Sequence, residues 1–321
     1  MQRIAILYNP RSGRARSRRR ADVERAAGVF RKQGKQVELE ATMGPRQGGK
    51  QARAFVDAGF DTIVASGGDG TIHDVLQGMV GTEAGLGVLP LGTANSLAAD
   101  LGLANNPTKA AEQLLAAGQK RIAIGRIEYE RGTARRESRF FTVAAGVGVD
   151  AALFYDLNAG FKDRLGMAAY VSESLRQWAV QKFYRFRVEW LDAEKQIKRE
   201  ELVTQLLAVR IANFGGVLKK LAPGADLSRD DLRLVLFKTA SRARYLRFAA
   251  GCLIGQHWDD PFIELVHATQ VSCFPHRDNG APRHPVIYSE ADGELLGRLP
   301  VQIGVLPGAF NLLIPPKARE L

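Results

Sequence analysis

The sequence predicts an α/β domain built on a parallel sheet, followed by a mainly antiparallel β domain. Three observations predict it. Short apolar runs alternate with helical stretches through the first third of the chain. Glycine-rich loops follow three of those runs directly. Beyond about residue 120 the pattern changes to strands with two helical interruptions.

Residues 3–8 (RIAILY) read as a buried strand, NPRSGRA as the loop after it, and 17–33 as a helix. A second strand is expected at 36–41 and a helix at 47–58. A third strand at 61–66 (DTIVAS) runs into GGDG and a helix at 71–79. The fourth, 85–89, ends at Pro90, and GTANSLAADLGL opens another helix. Ligands of such sheets bind outside the carboxyl ends of the strands, where these loops fall. In the second domain, strands are expected at 121–129, 139–145, 183–190, 198–212, 232–238, 262–267, 271–275 and 301–305. Helices are expected at 163–180 and 242–255. The domains are therefore placed at 1–122 and 123–321, the last residues packing back on the first.

With 321 residues, 45% of them hydrophobic, the chain can build two full cores. Two cysteines, Cys252 and Cys273, form no CxxC pair, which argues against a disulfide framework or zinc site. No run reaches the roughly 18 apolar residues of a membrane span, and a cytoplasmic protein is expected. The net charge of +11 calls for an anionic partner, densest at Arg11, Arg14, Arg16, Arg18, Arg19 and Arg20. Without a basic stripe carrying stacking aromatics, nucleic acid is not expected. Oligomeric state is not encoded legibly, and a homodimer stays open.

The loops carry the chemistry. In Ser66-Gly67-Gly68-Asp69-Gly70-Thr71, glycines let backbone amides approach a phosphate, and the helix N-terminus adds partial positive charge. Asp69 would repel that ligand unless a Mg²⁺ ion bridges them. Leu91-Gly92-Thr93-Ala94-Asn95-Ser96 repeats the design one strand later. Asn9-Pro10-Arg11-Ser12-Gly13-Arg14 offers donors after the first strand. Three such loops on one sheet edge imply a nucleotide site. There is no GxxxxGK[ST] and no GxGxxG after the first strand. Ser289-Glu290-Ala291-Asp292-Gly293-Glu294, taken alone, reads more often as an Asp-Gly hairpin turn than as carboxylates delivered to a cleft.

NPRSG, SGGDGTIHDVLQGM, LGVLPLGTANSLA, AAGVGVDA, FKDRLGMAAY, ANFGG and ADGELLG occur in an order that resembles the diacylglycerol kinase catalytic domain family, including its bacterial lipid kinases. The resemblance implies an NAD kinase-like α/β domain, a C-terminal β-sandwich, and ATP with Mg²⁺ in the cleft between them. It implies nucleotide contacts from Asn9, Ser12, Gly13, Arg14, Thr42, Gly67, Gly68, Asp69, Gly70, Thr71, Gly92, Thr93 and Asn95. Asp292 falls at the family's proposed general base and Glu294 at a nearby acid, with Asp69 and Glu294 towards the catalytic metal. The acceptor would be a lipid hydroxyl, collected by a basic protein held peripherally at the anionic inner face of a membrane. Two positions depart from the family. Ser96 stands where an Asp usually follows GTxN, and 226–231 (DLSRDD) lacks an Asp-Gly pair. In the family both belong to a structural Mg²⁺ network, for which Asp226 and Asp230 remain here. Two other readings share parts of this pattern: an NAD kinase, through GGDG, and a nucleotide- and lipid-binding sensor that does not turn over.

Overall fold

The computed structural model describes residues 1–12, 18–131, 135–149, 182–215, 221–256, 258–276 and 286–316. Gly13, Arg14, and the helix expected at 163–180 lie outside them.

Four parallel strands form one end of the sheet, in the order β2 (Gln36–Ala41), β1 (Arg3–Tyr8), β3 (Thr62–Gly67) and β4 (Gly85–Pro90). β3 and β4 are buried at every residue, as expected of apolar strands covered on both faces. Between them run α1 (Arg19–Lys32), α2 (Gly48–Asp57) and α3 (Asp69–Met79). Beyond β4 come the short α4 (Ser96–Asp100) and α5 (Pro107–Leu115). Asn106 caps α5, its side chain accepting from the Thr108 and Lys109 amides ahead of a first-turn proline.

The sheet continues into the second half through β5 (Gly118–Arg131), β6 (Arg135–Phe141), β7 (Ala144–Gly148), β8 (Phe186–Asp192), β9 (Lys198–Val203), β10 (Gln205–Val209), β11 (Leu232–Phe237), β12 (Ile263–Pro275), β13 (Tyr288–Ala291) and β14 (Glu294–Ile314), with α6 (Arg242–Ile254) between β11 and β12. β8 alternates buried and half-buried residues along its length, the signature of a strand with one face on a core. That core includes Ile127, Phe141, Val147, Val188, Trp190, Leu206 and Leu234.

β14 ties the halves together. Its start pairs with β13, its middle with β12 and β5, and Asn311 and Leu312 pair in parallel with Gly85 and Leu86 of β4. Phe310, Leu312 and Leu313 belong to the core of the first half. β5 runs straight through residue 122.

The expected run at 139–145 divides between β6 and β7, and three other expected runs differ. The runs at 262–267 and 271–275 are one strand, β12, whose pairing with β8 shifts register between Ala268 and Gln270. The run at 198–212 breaks at Thr204, whose amide and hydroxyl both donate to Phe237 O.

Candidate active site

The parallel strands end on one edge and bring the glycine loops together. Asn9 N donates to Ser66 O at 3.0 Å, Thr42 N to Tyr8 O at 2.9 Å and Leu91 N to Gly67 O at 2.8 Å. Asn9 Nδ2 donates to Thr71 Oγ1 at 3.2 Å, joining the first loop to the start of α3. Gly68 and Gly92 meet backbone to backbone; a Cβ on Gly92 would collide with the Gly68 Cα. Only glycines allow that approach. Gly70 is exposed with open space where a Cβ would stand, leaving the N-terminal turn of α3 accessible. Ser12 is placed by its carbonyl, which accepts from Arg19 Nη2 at 2.6 Å. Thr93 is exposed beside Gly92.

Asn95, expected at the nucleotide, spends its side chain on its own loop. Its Oδ1 accepts from Gly92 N at 2.8 Å and its Nδ2 donates to Gly92 O at 3.0 Å, with the backbone left-handed at φ +52°. It shapes the cradle from within. Asp69 Oδ1 accepts from Ser96 N at 2.7 Å, so the contact uses the backbone of residue 96 and is indifferent to its side chain. Burial pushes the Asp69 carboxyl up, the Ser96 amide opposes this, and the Asp292 charge adds to the rise.

Asp292 and Gly293 are the two positive-φ residues of the hairpin turn between β13 and β14, at +47° and +78°. The segment is therefore the Asp-Gly turn, and it also delivers carboxylates to the cleft. Asp292 Oδ1 accepts from Val143 N at 2.9 Å and Ala144 N at 3.1 Å. Its Oδ2 accepts from Thr142 N at 3.0 Å, with Thr142 Oγ1 at 3.4 Å and His73 Nδ1 at 3.3 Å. Glu294 is gripped through Oε1 by Arg46 (Nε 2.8 Å, Nη2 2.5 Å), while its Oε2 lies 3.4 Å from His73 Nε2, at ion-pair range without hydrogen-bond alignment.

His73 thus stands between two carboxylates. Burial alone would lower its pKa, but the hydrogen bond to Asp292 and the ion-pair contact with Glu294 outweigh this and raise it to about 9. Glu294 answers in the opposite sense. Burial would raise it, but His73 and Arg46 bring it down to about 2. At neutral pH the cluster is an imidazolium and a guanidinium facing two carboxylates.

The structure makes His73, which follows the glycine loop within SGGDGTIHDVLQGM, the bridge to the second half. The signal was present. Asp69, His73 and Gln77 recur at four-residue spacing and share one face of α3. Gln77 completes that face by exchanging bonds with Phe140 N and O at 3.0 and 2.9 Å. Arg46 had no such signal. Nor did Asp100, whose Oδ1 accepts from Ala212 N at 3.0 Å and Asn213 N at 2.8 Å.

Asp226 and Asp230, expected at a structural Mg²⁺, both lie in the loop before β11. Asp226 Oδ1 closes a local turn on Ser228 N at 2.7 Å, and the loop carbonyls of Leu227, Arg229 and Asp231 all accept from the buried Arg210 guanidinium. For a catalytic Mg²⁺ the fit is better, since such ions take one or two carboxylates plus substrate phosphates, and Asp69 offers one at the cradle. Among the described residues no group of three or more His, Cys, Asp or Glu converges on a metal position.

Two family models cover the chain: the diacylglycerol kinase catalytic domain over residues 3–127, and the YegS C-terminal NAD kinase beta sandwich-like domain over 142–314. The chain belongs to the diacylglycerol kinase family. A diacylglycerol kinase of Bacillus subtilis is 27% identical across 100% of this chain and 99% of its own length. One of Mycobacterium tuberculosis is 30% identical over 82% and 79%. A Chromohalobacter salexigens protein named "Probable lipid kinase YegS-like" is 26% identical over 92% and 89%. The crystal structure of a Bacillus anthracis diacylglycerol kinase superposes with a TM-score of 0.70 at 17% identity, covering 99% of this chain and 98% of that one. That likeness bears on the fold alone, an α/β domain followed by a mostly antiparallel β domain.

Proposed function

We propose that this family member transfers the γ-phosphoryl group of Mg·ATP to a hydroxyl group of a lipid. The observation that carries the reading is the juxtaposition of two structures. A glycine cradle at the ends of four parallel strands faces a carboxylate–imidazolium cluster held on a hairpin of the second half. Gly67, Gly68, Gly70, Thr71 and Gly92 would hold the phosphates, with Asn9, Ser12 and Thr42 around the rest of the nucleotide. Asp69, with Glu294 nearby, would face the Mg²⁺, which when bound neutralises phosphate charge. The acceptor oxygen bonds to the γ-phosphorus as the bond to the β–γ bridging oxygen breaks. ADP departs, and the hydroxyl proton passes to Asp292. Such transfers ask for positioning and charge neutralisation more than for a strong base.

Labelled ATP with Mg²⁺ and a lipid panel in mixed micelles tests this, comparing wild type with Asp292→Asn. A phosphorylated lipid that appears with wild type, and drops by about 10²–10⁴-fold in the variant, is expected. Labelling unchanged by the substitution would remove Asp292 as the acceptor. A second reading, a nucleotide- and lipid-binding protein that does not turn over, is favoured by one feature: protein donors already occupy both Asp292 oxygens. ATP binding without consumption against every lipid would select it.

The lipid is collected at an anionic membrane surface, and α6 supports this. Leu246, Leu253 and Ile254, exposed by 52%, 55% and 60%, share one stripe of the helix between Arg242 and Arg247, with exposed Trp258 and Phe262 just beyond. The helix carries three arginines and no acidic residue, and among the described residues no helix is long and apolar enough to cross a membrane. Each arginine near an anionic surface is worth about 1 kcal/mol and each inserted aliphatic side chain about 1.5–3 kcal/mol. Replacing Leu253 and Ile254 by Glu should cut co-flotation with phosphatidylglycerol vesicles at least about tenfold. Undiminished flotation, or equal binding of wild type to phosphatidylcholine vesicles, would discard this face; a change of oligomeric state on substitution would reassign it to a second copy.

A further inference from the structure

Arg210 follows β10 directly and is 1% exposed. Its two terminal nitrogens donate to main-chain oxygen, while Nε has no hydrogen-bond partner among the described residues. Nη1 donates to Arg229 O and Asp231 O, each at 2.6 Å; Nη2 donates to Ala123 O at 3.0 Å and Leu227 O at 3.1 Å. Three of the four acceptors are alternate residues of one loop, and the fourth belongs to β5. Alternate carbonyls of a loop, with carboxylates close by, are the oxygen set that a hard divalent cation takes. Here a planar fork of N–H donors fills it, from a side chain whose charge is permanent. Burial lowers the guanidinium's pKa, and the charges of Asp231, Asp230 and Asp226 oppose this.

The same residue touches the cleft through its backbone. Arg210 N donates to Val143 O at 2.9 Å, and Val143 N donates to Asp292 Oδ1 at 2.9 Å. Val143 O shares its peptide group with Ala144 N, which also donates to Asp292 Oδ1 at 3.1 Å, so one peptide group separates the backbone of Arg210 from the cradle of the carboxylate. Two and three residues on, the Ala212 and Asn213 amides hold Asp100 of the first half.

We infer that Arg210 is a resident side-chain cation standing in place of a structural divalent ion, and that through the Val143 peptide it is a positioning residue for Asp292. The first half of the inference is independent of the proposed reaction. The second concerns the same carboxylate, but its readout needs no turnover.

The full chain, nucleotide-free and dialysed against EDTA, should retain substoichiometric Mg²⁺ and Ca²⁺ by elemental analysis. Its Tm should differ by less than about 1 °C between EDTA and millimolar Mg²⁺, since an ion that does not bind cannot stabilise. Arg210→Ala should lower Tm by about 10 °C, and millimolar methylguanidinium should restore part of that loss where sodium does not. Arg210→Lys, which keeps the charge but not the fork, should fold with an intermediate Tm. In that variant the Val143 and Ala144 amides, followed by NMR, should lose hydrogen-exchange protection while the amides of β3 keep theirs, because a loosened Val143 peptide releases the Asp292 carboxylate. One divalent ion per chain whose removal lowers Tm would overturn the substitution, as would a wild-type Tm in Arg210→Ala. Unchanged exchange of the Val143 and Ala144 amides in Arg210→Lys would overturn the positioning role. If no lipid is ever phosphorylated, all three measurements keep their meaning.

Discussion

Replacing His73 with Gln removes a cation that touches both carboxylates of the cleft, and pH exposes the consequence. The imidazole is buried, and its pKa rises from 6.5 to about 9 because Asp292 and Glu294 face its two nitrogens. At about 1.4 kcal/mol per pH unit, that rise corresponds to about 3 kcal/mol of preference for the folded state in the protonated form. A group raised on folding stabilises in full below its unfolded pKa. Wild type should therefore hold this contribution below about pH 6.5 and lose it as the pH climbs through about 9. Glu294 reports the same contacts from the other side, so its shift is not added. Isothermal urea unfolding of wild type and His73→Gln at pH 6, 7, 8, 9 and 10 measures the difference, and residues that titrate alike in both proteins cancel. The gap should be about 3 kcal/mol at the acid end and shrink to the packing cost of the amide above pH 9. A gap that is constant across the series would refute the reasoning, since it would mean that His73 contributes shape and no charge.

Gly92→Ala should cost about 1–3 kcal/mol and raise the KM for nucleotide, because its Cβ meets the Gly68 Cα, which belongs to the facing loop and cannot turn aside; thermal melts and nucleotide titration check it, and an unaltered Tm would show that the loops can part. Asp100→Asn behaves in the opposite way. Burial pushes this carboxyl up to about 6, against the Ala212 and Asn213 amides and helped by Asp226. An acid raised on folding loses stability as pH climbs from about 4 through 6. The amide keeps an acceptor for both N–H groups, so the variant should melt at or above wild type at pH 8 while showing no such advantage at pH 5; a loss at both pH values would mean that the charge is needed.

The parallel half was legible because its information is local. The fully buried β3 and β4 are apolar runs that stop at glycine, and the loops after them sit where the chain must turn into a helix. The hairpin was legible only as two competing readings, because Asp-Gly satisfies turn geometry whether or not its carboxylate is used. What escaped was long-range. His73 meets Asp292 across 219 positions, and Arg46 meets Glu294 across 248. No periodicity connects such pairs, although the shared face of Asp69, His73 and Gln77 marked α3 as the helix that would find a partner. Asn95 escaped for another reason. A polar side chain after a glycine can bind a ligand or its own loop, and only the left-handed backbone with two bonds to Gly92 decides between them. Arg210 reads in the sequence as a lone charge in an apolar run, and its four carbonyl acceptors come from β5 and from a loop beyond Ala222.

The bonds to Asp292 are unequal, and the inequality assigns its two oxygens different work. Oδ1 takes two backbone amides at 2.9 and 3.1 Å, both set by the start of β7 and, through Val143, by Arg210. Those donors cannot rotate away. Oδ2 takes one backbone amide at 3.0 Å and two longer contacts, His73 at 3.3 Å and the Thr142 hydroxyl at 3.4 Å, each from a side chain that can turn. An arriving hydroxyl would displace the Thr142 contact most easily, since a hydroxyl rotor gives up a 3.4 Å interaction at little cost. Oδ2 is then the oxygen that can receive a proton, while Oδ1 keeps the carboxylate aimed. Phosphoryl transfer would ask of this site a correctly placed acceptor more than a strong one. A buried carboxylate with every direction occupied is in this way compatible with chemistry: four contacts hold it in place and one yields.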